Sequence, residues 1–488
     1  MRFAQACGVH DALRAAACDA ALRKIKELDL QRVRIGWCDL HGVLRGKTLM
    51  PAAAANALFA GVGMVGTLLL KDTSDRTAYQ IFEPGALDEL PGFGFANNLM
   101  LLPDPASLCE LPWASGSGWM RGELFFDDGT PVHLDPRRVL QAALAQLAQA
   151  GYGLRCGLEV EFHIYRIIDP GLDPQRAGWP GEPPELEMIH PGYSLLAEAW
   201  ADMADEPLRI VQDTALALGL PLRSLEIELG PSQVEAVFDA TDALSAADHM
   251  VLFRNGVRQA LRRAGYHASF VCRPPFPNAM ASGWHLHQSL VRPADASNAF
   301  MRSAPEPGTN PDDALHTLSG LGAQWLGGLL AHAQGAAVFG TPTINGFSRF
   351  RPNAMAPAAV LWGHDNRGAM LRVLGGPGDA ATRIENRVGE PMANPYLYLA
   401  SQVHSGLSGM QQRLDPGRAT ASPYGEGVRL PTGLAEALTS LAKDERLCAA
   451  MGAPLVALYT RIKHSELERH GAAADKDEWM RREYFSRF

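Results

Sequence analysis

Cysteine is scarce and scattered in this sequence. The seven residues Cys7, Cys18, Cys38, Cys109, Cys156, Cys272 and Cys448 include no Cys-x-x-Cys spacing. That argues against a disulfide framework or a cysteine zinc site, and predicts structural thiols in a reducing, cytoplasmic compartment. Positive charge is not in excess either: 44 Lys and Arg stand against 53 Asp and Glu, a net charge of −9. No global field draws the chain to nucleic acid or to an acidic membrane surface, so a small molecule is the expected partner. The longest apolar stretch, 57–70, is interrupted by glycines and too short to span a bilayer. Asp11, Arg14, Asp19 and Arg23 stand where a signal peptide would be apolar, and none is expected. Internal repeats and low-complexity segments are absent. So is a phosphate-binding loop: GVLRGKT (42–48) has three residues between its glycines where that loop needs four, and reads as a basic hairpin strand.

What is present is ordinary globular composition, 47% hydrophobic and 20% charged, over 488 residues. That is too much chain for one compact core. Residues 11–28 read as an amphipathic helix. Residues 32–51 read as two strands meeting at a His41-Gly42 turn, and a loop-rich stretch follows to about 130. A helix is predicted over 134–152, with Asp135 capping, Pro136 in the first turn and Gly151 ending it. The domain boundary is placed just before it, dividing 1–130 from 131–488. In the second part, 168–193 is rich in Pro and Gly and reads as a long surface loop. Segments 207–219, 243–265, 313–338 (one long, mostly apolar helix) and 431–470 read as helical.

The chemistry concentrates in strands where charged residues alternate with apolar ones. GLEVEFHIY (157–165) puts Glu159 and Glu161 on one face. LEIELGPSQVEAVF (225–238) places Glu226 and Glu228 before a Gly230-Pro231 turn and Glu235 after it. SGWHLHQSL (282–290) puts His285 and His287 on one face, and TRIENRVGEP (382–391) carries Arg383, Glu385 and Arg387. Singly, such strands are solvated faces or salt-bridge ladders. Four in one domain, each embedded in apolar sequence, imply carboxylates converging on one cavity, which is unstable without cations between them. Oxygen ligands with an imidazole suit Mg²⁺ or Mn²⁺ rather than zinc, and the arginines imply phosphate and carboxylate ligands. The residues point to metal-dependent phosphoryl transfer without a phosphate-binding loop.

These blocks, together with PTINGFSRFRPNAMAP (342–357), LWGHDNRGAMLRV (361–373) and the extension to NPYLYLAS (394–401), resemble the glutamine synthetase family of the class I type over roughly 30–465. The resemblance implies an α+β fold: a small N-terminal β-grasp-like domain with a helical leader, then a catalytic domain on a curved antiparallel sheet. It implies two divalent ions, Mg²⁺ or Mn²⁺, one held by Glu161, Glu228 and Glu235 and the other by Glu159, His285 and Glu385. Arg349 and Arg387 match positions that grip the glutamate carboxylate and the transferring phosphoryl, and Arg367 one that stabilises the phosphoryl. Ala281 and Gly283 border the glutamate site, with Ala281 standing where the family usually has glycine. Arg372 and Arg383 match contacts to the phosphates of ATP, and His287 and Ser289 lie in the segment lining ATP. The implied reaction forms γ-glutamyl phosphate from glutamate and ATP, and an amine then displaces phosphate. Active sites are expected between neighbouring subunits of a homo-dodecamer built from two rings.

The sequence departs from the family where ammonium would bind. Met355 stands for a glutamate of a mobile flap, and Val65, in GVGMVGTLL (61–69), for an aspartate that the neighbouring subunit supplies. An ammonium ion lacks partners in an apolar pocket, whereas a hydrocarbon arm gains about 0.8 kcal/mol per buried methylene. The pattern resembles the γ-glutamyl-amine synthetases of amine catabolism, with a monoamine favoured over a polyamine. Asp72, Asp75 or Glu83 could hold a polyamine's distal ammonium. The rivals are a glutamine synthetase that uses ammonia through a rewired ammonium site, with Asp72 or Asp75 as candidates for the missing acid, and a non-catalytic regulatory relative, which six filled metal positions argue against. No counterpart of the family's adenylylated tyrosine is found in 401–430.

Overall fold

The computed structural model describes residues 3–94, 96–302, 317–350, 356–422 and 424–488. The hairpin read from 32–51 forms as β1 (Arg32–Cys38) and β2 (Leu44–Leu49), paired antiparallel around the His41-Gly42 turn. Gly42 has φ +78°, and a Cβ there would lie 2.4 Å from Arg254 Nη2; both requirements select glycine. Arg254 in turn donates to the carbonyls of Pro391 and Ala393, and Asn394 Nδ2 donates to the Asp39 carbonyl at 2.8 Å. The turn is thereby docked onto the second part of the chain.

The stretch to 130 is not loop-rich as expected. A helix, Pro51–Ala60, is followed by β3 (Val62–Val65), β4 (Asn98–Pro103), β5 (Cys109–Glu110) and β6 (Ser117–Phe125). The helix starts at Pro51 and stops at Gly61, φ +66°. Its run of alanines leaves no polar face, so no 3.6-residue period was there to read. The sheet order is β2-β1-β6-β4-β3, with β5 paired to β6 and β1 parallel to β6 at the centre. This is the β-grasp-like arrangement.

The second sheet comprises β7 (Gly153–Asp169), β8 (Glu185–Met188), β9 (Leu222–Ile227), β10 (Gln233–Asp242), β11 (Tyr266–Ser269), β12 (Trp284–Val291), β13 (Trp362–His364), β14 (Leu371–Leu374) and β15 (Arg383–Asn386). Its order is β13-β14-β15-β12-β7-β10-β9, with β8 and β11 paired to the far end of β7, and it is curled. The chain is thus α+β, as expected. The surface loop read over 168–193 departs from expectation at β8, which pairs Met188 with Tyr165.

Alternation along β7 makes the site. Leu158, Val160 and Phe162 are buried on one face; Phe162 stacks on Phe270 at 4.9 Å and meets Phe253 of the helix Ala243–Arg263 edge-on. Each such side chain contributes about 1.5–3 kcal/mol on burial. That fixes the strand's orientation, and Glu159 and Glu161 are carried to the opposite face whatever their own cost.

The predicted helices form at Ala12–Glu27, Pro136–Gln149 (capped by Asp135), Asp205–Ala217 and Ala243–Arg263. The single helix expected over 313–338 is instead two, Gly320–Ala331 and Ala333–Gly340. The chain turns at His332, whose ring is held between Asp444 Oδ2 (2.7 Å) and Ser408 Oγ (2.8 Å). The tail is likewise divided, at Asp444 and Gly452, into Leu434–Lys443, Glu445–Met451 and Ala453–Ala472. All seven cysteines are free. Among the described residues no helix is long and apolar enough to cross a membrane.

Candidate active site

Register carries the alternating residues into one cluster. Across β7 and β10, Glu161 faces Glu235; across β7 and β12, Glu159 faces His285; across β12 and β15, His287 faces Glu385; and across β14 and β15, Arg372 faces Glu385. Side chains directly opposite in adjacent strands stand about 5 Å apart at Cβ. Ligand atoms of Glu159, Glu235 and His285 lie within 4.8 Å of one another, and so do those of Glu159, His287 and Glu385. Glu228 follows the end of β9, held by its backbone N–H to the Gln233 carbonyl at 3.0 Å.

The cluster has two electrostatic halves. In the first, His287 Nε2 lies 2.9 Å from Glu159 Oε1, and His285 Nδ1 is 3.4 Å from Glu159 Oε2. Arg372 Nη1 donates to Glu385 Oε2 at 3.0 Å, and Arg387 Nη1 to Glu385 Oε1. Burial raises both carboxyls, but the imidazoles at Glu159, and His285 with Arg387 at Glu385, outweigh it and hold them below their usual range. Burial and Arg387 push His285 down to about 4, a neutral imidazole. Arg383 Nε donates to His287 Nδ1 at 3.0 Å, so that nitrogen is the acceptor and the ring proton sits on Nε2, on the side of Glu159 but without hydrogen-bond geometry to it.

In the second half, Glu161 Oε2 accepts from the Gly283 N–H at 2.9 Å and from Gln233 Nε2 at 3.1 Å. Burial and the neighbouring Glu228 push Glu161 up to about 7; burial and Glu161, Glu159 and Glu228 push Glu235 up to about 10. Burial raises Glu228 too. Glu235 Oε1 is buried without a hydrogen-bond partner among the described residues. An orphaned carboxylate oxygen among mutually repelling acids fits divalent cations, and a set of five carboxylates and one neutral imidazole suits Mg²⁺ or Mn²⁺.

The remaining expected residues fall as follows. Arg349 is buried, and its Nη1 donates to the carbonyls of Arg387, Val388 and Gly389. A Cβ on Gly283 would lie 2.4 Å from Arg349 Nη2, so a glycine is needed there. The Ala281 carbonyl accepts from Gln233 Nε2 at 3.3 Å. Ser289 follows His287 on the same face of β12, opposite Arg155. Arg367 is exposed between β13 and β14. Val65 is 43% exposed on β3, at the edge of the other sheet, and is not brought into this chain's acid cluster. Met355 lies outside the described residues. Asp72 is buried against Arg469, and Asp75 pairs with Arg45, so both are engaged away from the cluster. Sequence reasoning missed Gln233, whose amide also reaches Ser282 Oγ at 3.0 Å. Its signal was the spacing to Glu235, two residues on along the same strand.

Fold and site together define an α+β enzyme with a carboxylate cage for divalent cations beside arginines for oxyanions. Residues 133–483 match the family described as glutamine synthetase, catalytic domain. The chain is 38% identical to a gamma-glutamylanilide synthase of Acinetobacter sp. over 96% of both chains. It is 30% identical to the gamma-glutamylethanolamide synthetase GlnA4 of Streptomyces coelicolor, covering 94% of this chain and 93% of that one. A solved structure titled as a GmaS/ADP complex superposes with a TM-score of 0.74 at 27% identity, covering 94% of this chain and 98% of that one. The chain belongs to the glutamine synthetase family.

Proposed function

We propose that the chain is an ATP-dependent ligase that joins the γ-carboxylate of glutamate to a substituted amine with an apolar, aromatic body, in amine catabolism. The observation that carries this reading is the 38% identity, over nearly the full length of both chains, with a gamma-glutamylanilide synthase. The acceptor chemistry agrees with it. An arylamine is neutral at pH 7, so its pocket needs no carboxylate partner, and Val65 and Met355 stand where acids would hold ammonium.

In this reading Glu161, Glu228 and Glu235 hold one cation, and Glu159, His285 and Glu385 the other. When bound, Mg²⁺ or Mn²⁺ offsets the charge of ATP and glutamate and stabilises the γ-phosphoryl in transfer. The chain's own residues do the rest. Arg372 and Arg387, fixed by Glu385, set positive charge beside the phosphates, and Arg383 orients His287 at the nucleotide with Ser289. Arg349 borders the glutamate with Ala281 and Gly283, and Arg367 reaches the phosphoryl from its exposed turn. The reading includes two structural parts divided near residue 130, a cytoplasmic location, and a homo-dodecamer in which Val65 faces a neighbour's site. The exposure of Val65 agrees with that placement.

Phosphate release from ATP, measured with glutamate and each of aniline, an alkyl monoamine, ethanolamine, putrescine and ammonia, tests the reading. Release with aniline or the alkyl amine, with the γ-glutamyl product seen by mass spectrometry, is expected. Release with ammonia alone would make the chain a glutamine synthetase, and release with none would make it a non-catalytic relative.

A further inference from the structure

The C-terminal turns of the helix Ala243–Arg263 line a feature that the ligase chemistry does not use. A cavity of about 610 Å³ opens between this helix, β11, the 170–184 segment and the chain's end. Arg258, Arg262 and Arg263 line it, with Tyr266 and His267; Leu172 is among the apolar residues at its walls. The chain as a whole carries a net charge of −9. In this cavity the only lining carboxylate among the described residues is Glu182, and Arg481 and Arg482 already hold it.

The three arginines make no ion pair with a carboxylate among the described residues. Arg258 Nη2 donates to the Ser486 carbonyl at 3.3 Å. Burial, then Arg254 and Arg487, push Arg258 down to about 10; burial, then Arg258, push His267 down to about 3. On the other side of Gln259, Arg34 donates to Gln259 Oε1 at 2.8 Å and is lowered by burial, Arg263 and Arg32. These groups repel one another. A helix C-terminus attracts cations, which accounts for Arg262 and Arg263 taken singly. It does not account for a half-buried Arg258 in a concave wall.

We propose that this cavity binds a small, multiply charged oxyanion, a di- or tricarboxylate or a phosphate, apart from the acid cluster. Guanidinium forks match the paired oxygens of either group, and removing one weakens binding by about tenfold or more.

Isothermal titration calorimetry of the full chain in metal-free buffer tests this, with citrate and inorganic phosphate as separate probes. Arg262 and Arg263 are exposed, so the R262Q/R263Q variant should fold. Wild type is expected to bind at least one probe, and the variant to bind it at least tenfold more weakly, with its mass by light scattering and its amine-dependent turnover unchanged. Citrate alone would mark a carboxylate site, phosphate alone a phosphate site. Equal binding by both proteins, or no binding of either probe to wild type, overturns the proposal. A changed assembly mass in the variant also overturns it, because the arginines then face acids of another copy.

Discussion

The Glu159–Glu385 half and the Glu161–Glu228–Glu235 half of the acid cluster are built from one residue type on one curled sheet, yet their carboxyls shift in opposite directions. The difference lies in the neighbours. Two imidazoles and two guanidinium groups meet the first half. The second receives an amide and two backbone N–H groups, those of Gly283 and Leu229, while Arg349 gives its Nη1 to three carbonyls. Burying acids with so little counter-charge costs several kcal/mol per ion, which proton uptake or bound metal offsets there. In the metal-free protein one half is thus offset by the chain's own cationic and imidazole groups, whereas the other depends on protons or metal.

Isosteric Glu-to-Gln changes should separate the halves by sign. The largest effect is expected for Glu385→Gln. Glu385 has no exposed surface and anchors both Arg372 and Arg387. Its loss leaves two guanidinium groups against an amide and should destabilise the fold by about 3 kcal/mol in urea denaturation. An unchanged midpoint would show that the arginines find other partners.

Metal-free protein should next show opposite pH trends from the two halves. Glu161 and Glu235 have folded values raised to about 7 and about 10 from the usual 4.5. The folded state therefore binds more protons than the unfolded state above pH 4.5. Stability should fall as pH rises from about 4.5 toward 7, by up to about 1.4 kcal/mol per unit for each group. Glu159 and Glu385 are lowered, so their contribution is present above 4.5 and lost as pH falls further. In EDTA, stability should peak near pH 4–5, and Mn²⁺ should move the peak upward. A flat profile in EDTA breaks the comparison. Glu235→Gln should then raise metal-free stability near pH 7 by about 1 kcal/mol or more, because the amide needs no proton uptake on folding. The same change should cut phosphate release more than about 100-fold.

Much of this site was legible in the sequence, because a period of two is a local property. Glu159 and Glu161, His285 and His287, and Arg383 and Glu385 could be assigned to shared strand faces from spacing alone. That His285 faces Glu159 while His287 faces Glu385 could not, since register across β7, β12 and β15 joins segments far apart in the sequence. The helix Pro51–Ala60 was missed for want of a polar face. The turn at His332 was missed because its partners, Ser408 and Asp444, are distant in sequence. Gln233 was overlooked because a neutral amide does not stand out among acids, though it bonds Glu161 directly.

The smallest effect is expected at the edge of the neutralised half. Among the described residues Arg383 pairs with no acid there; its Nε donates to His287 Nδ1 and so keeps the ring proton on Nε2, the nitrogen near Glu159. Arg383→Met keeps the stem and removes that donor. Because Arg383 is partly exposed, the fold should lose less than about 0.5 kcal/mol. Without the donor, either ring nitrogen of His287 can carry the proton, and the contact to Glu159 is no longer enforced. The expected result is a KM for ATP raised by about tenfold with kcat within about twofold, an orienting loss of roughly 1.4 kcal/mol. The ¹⁵N shifts of the His287 ring should move toward a mixture of tautomers. If those shifts stay put while KM rises, Arg383 acts on the nucleotide directly, and the neutralised half ends at His287.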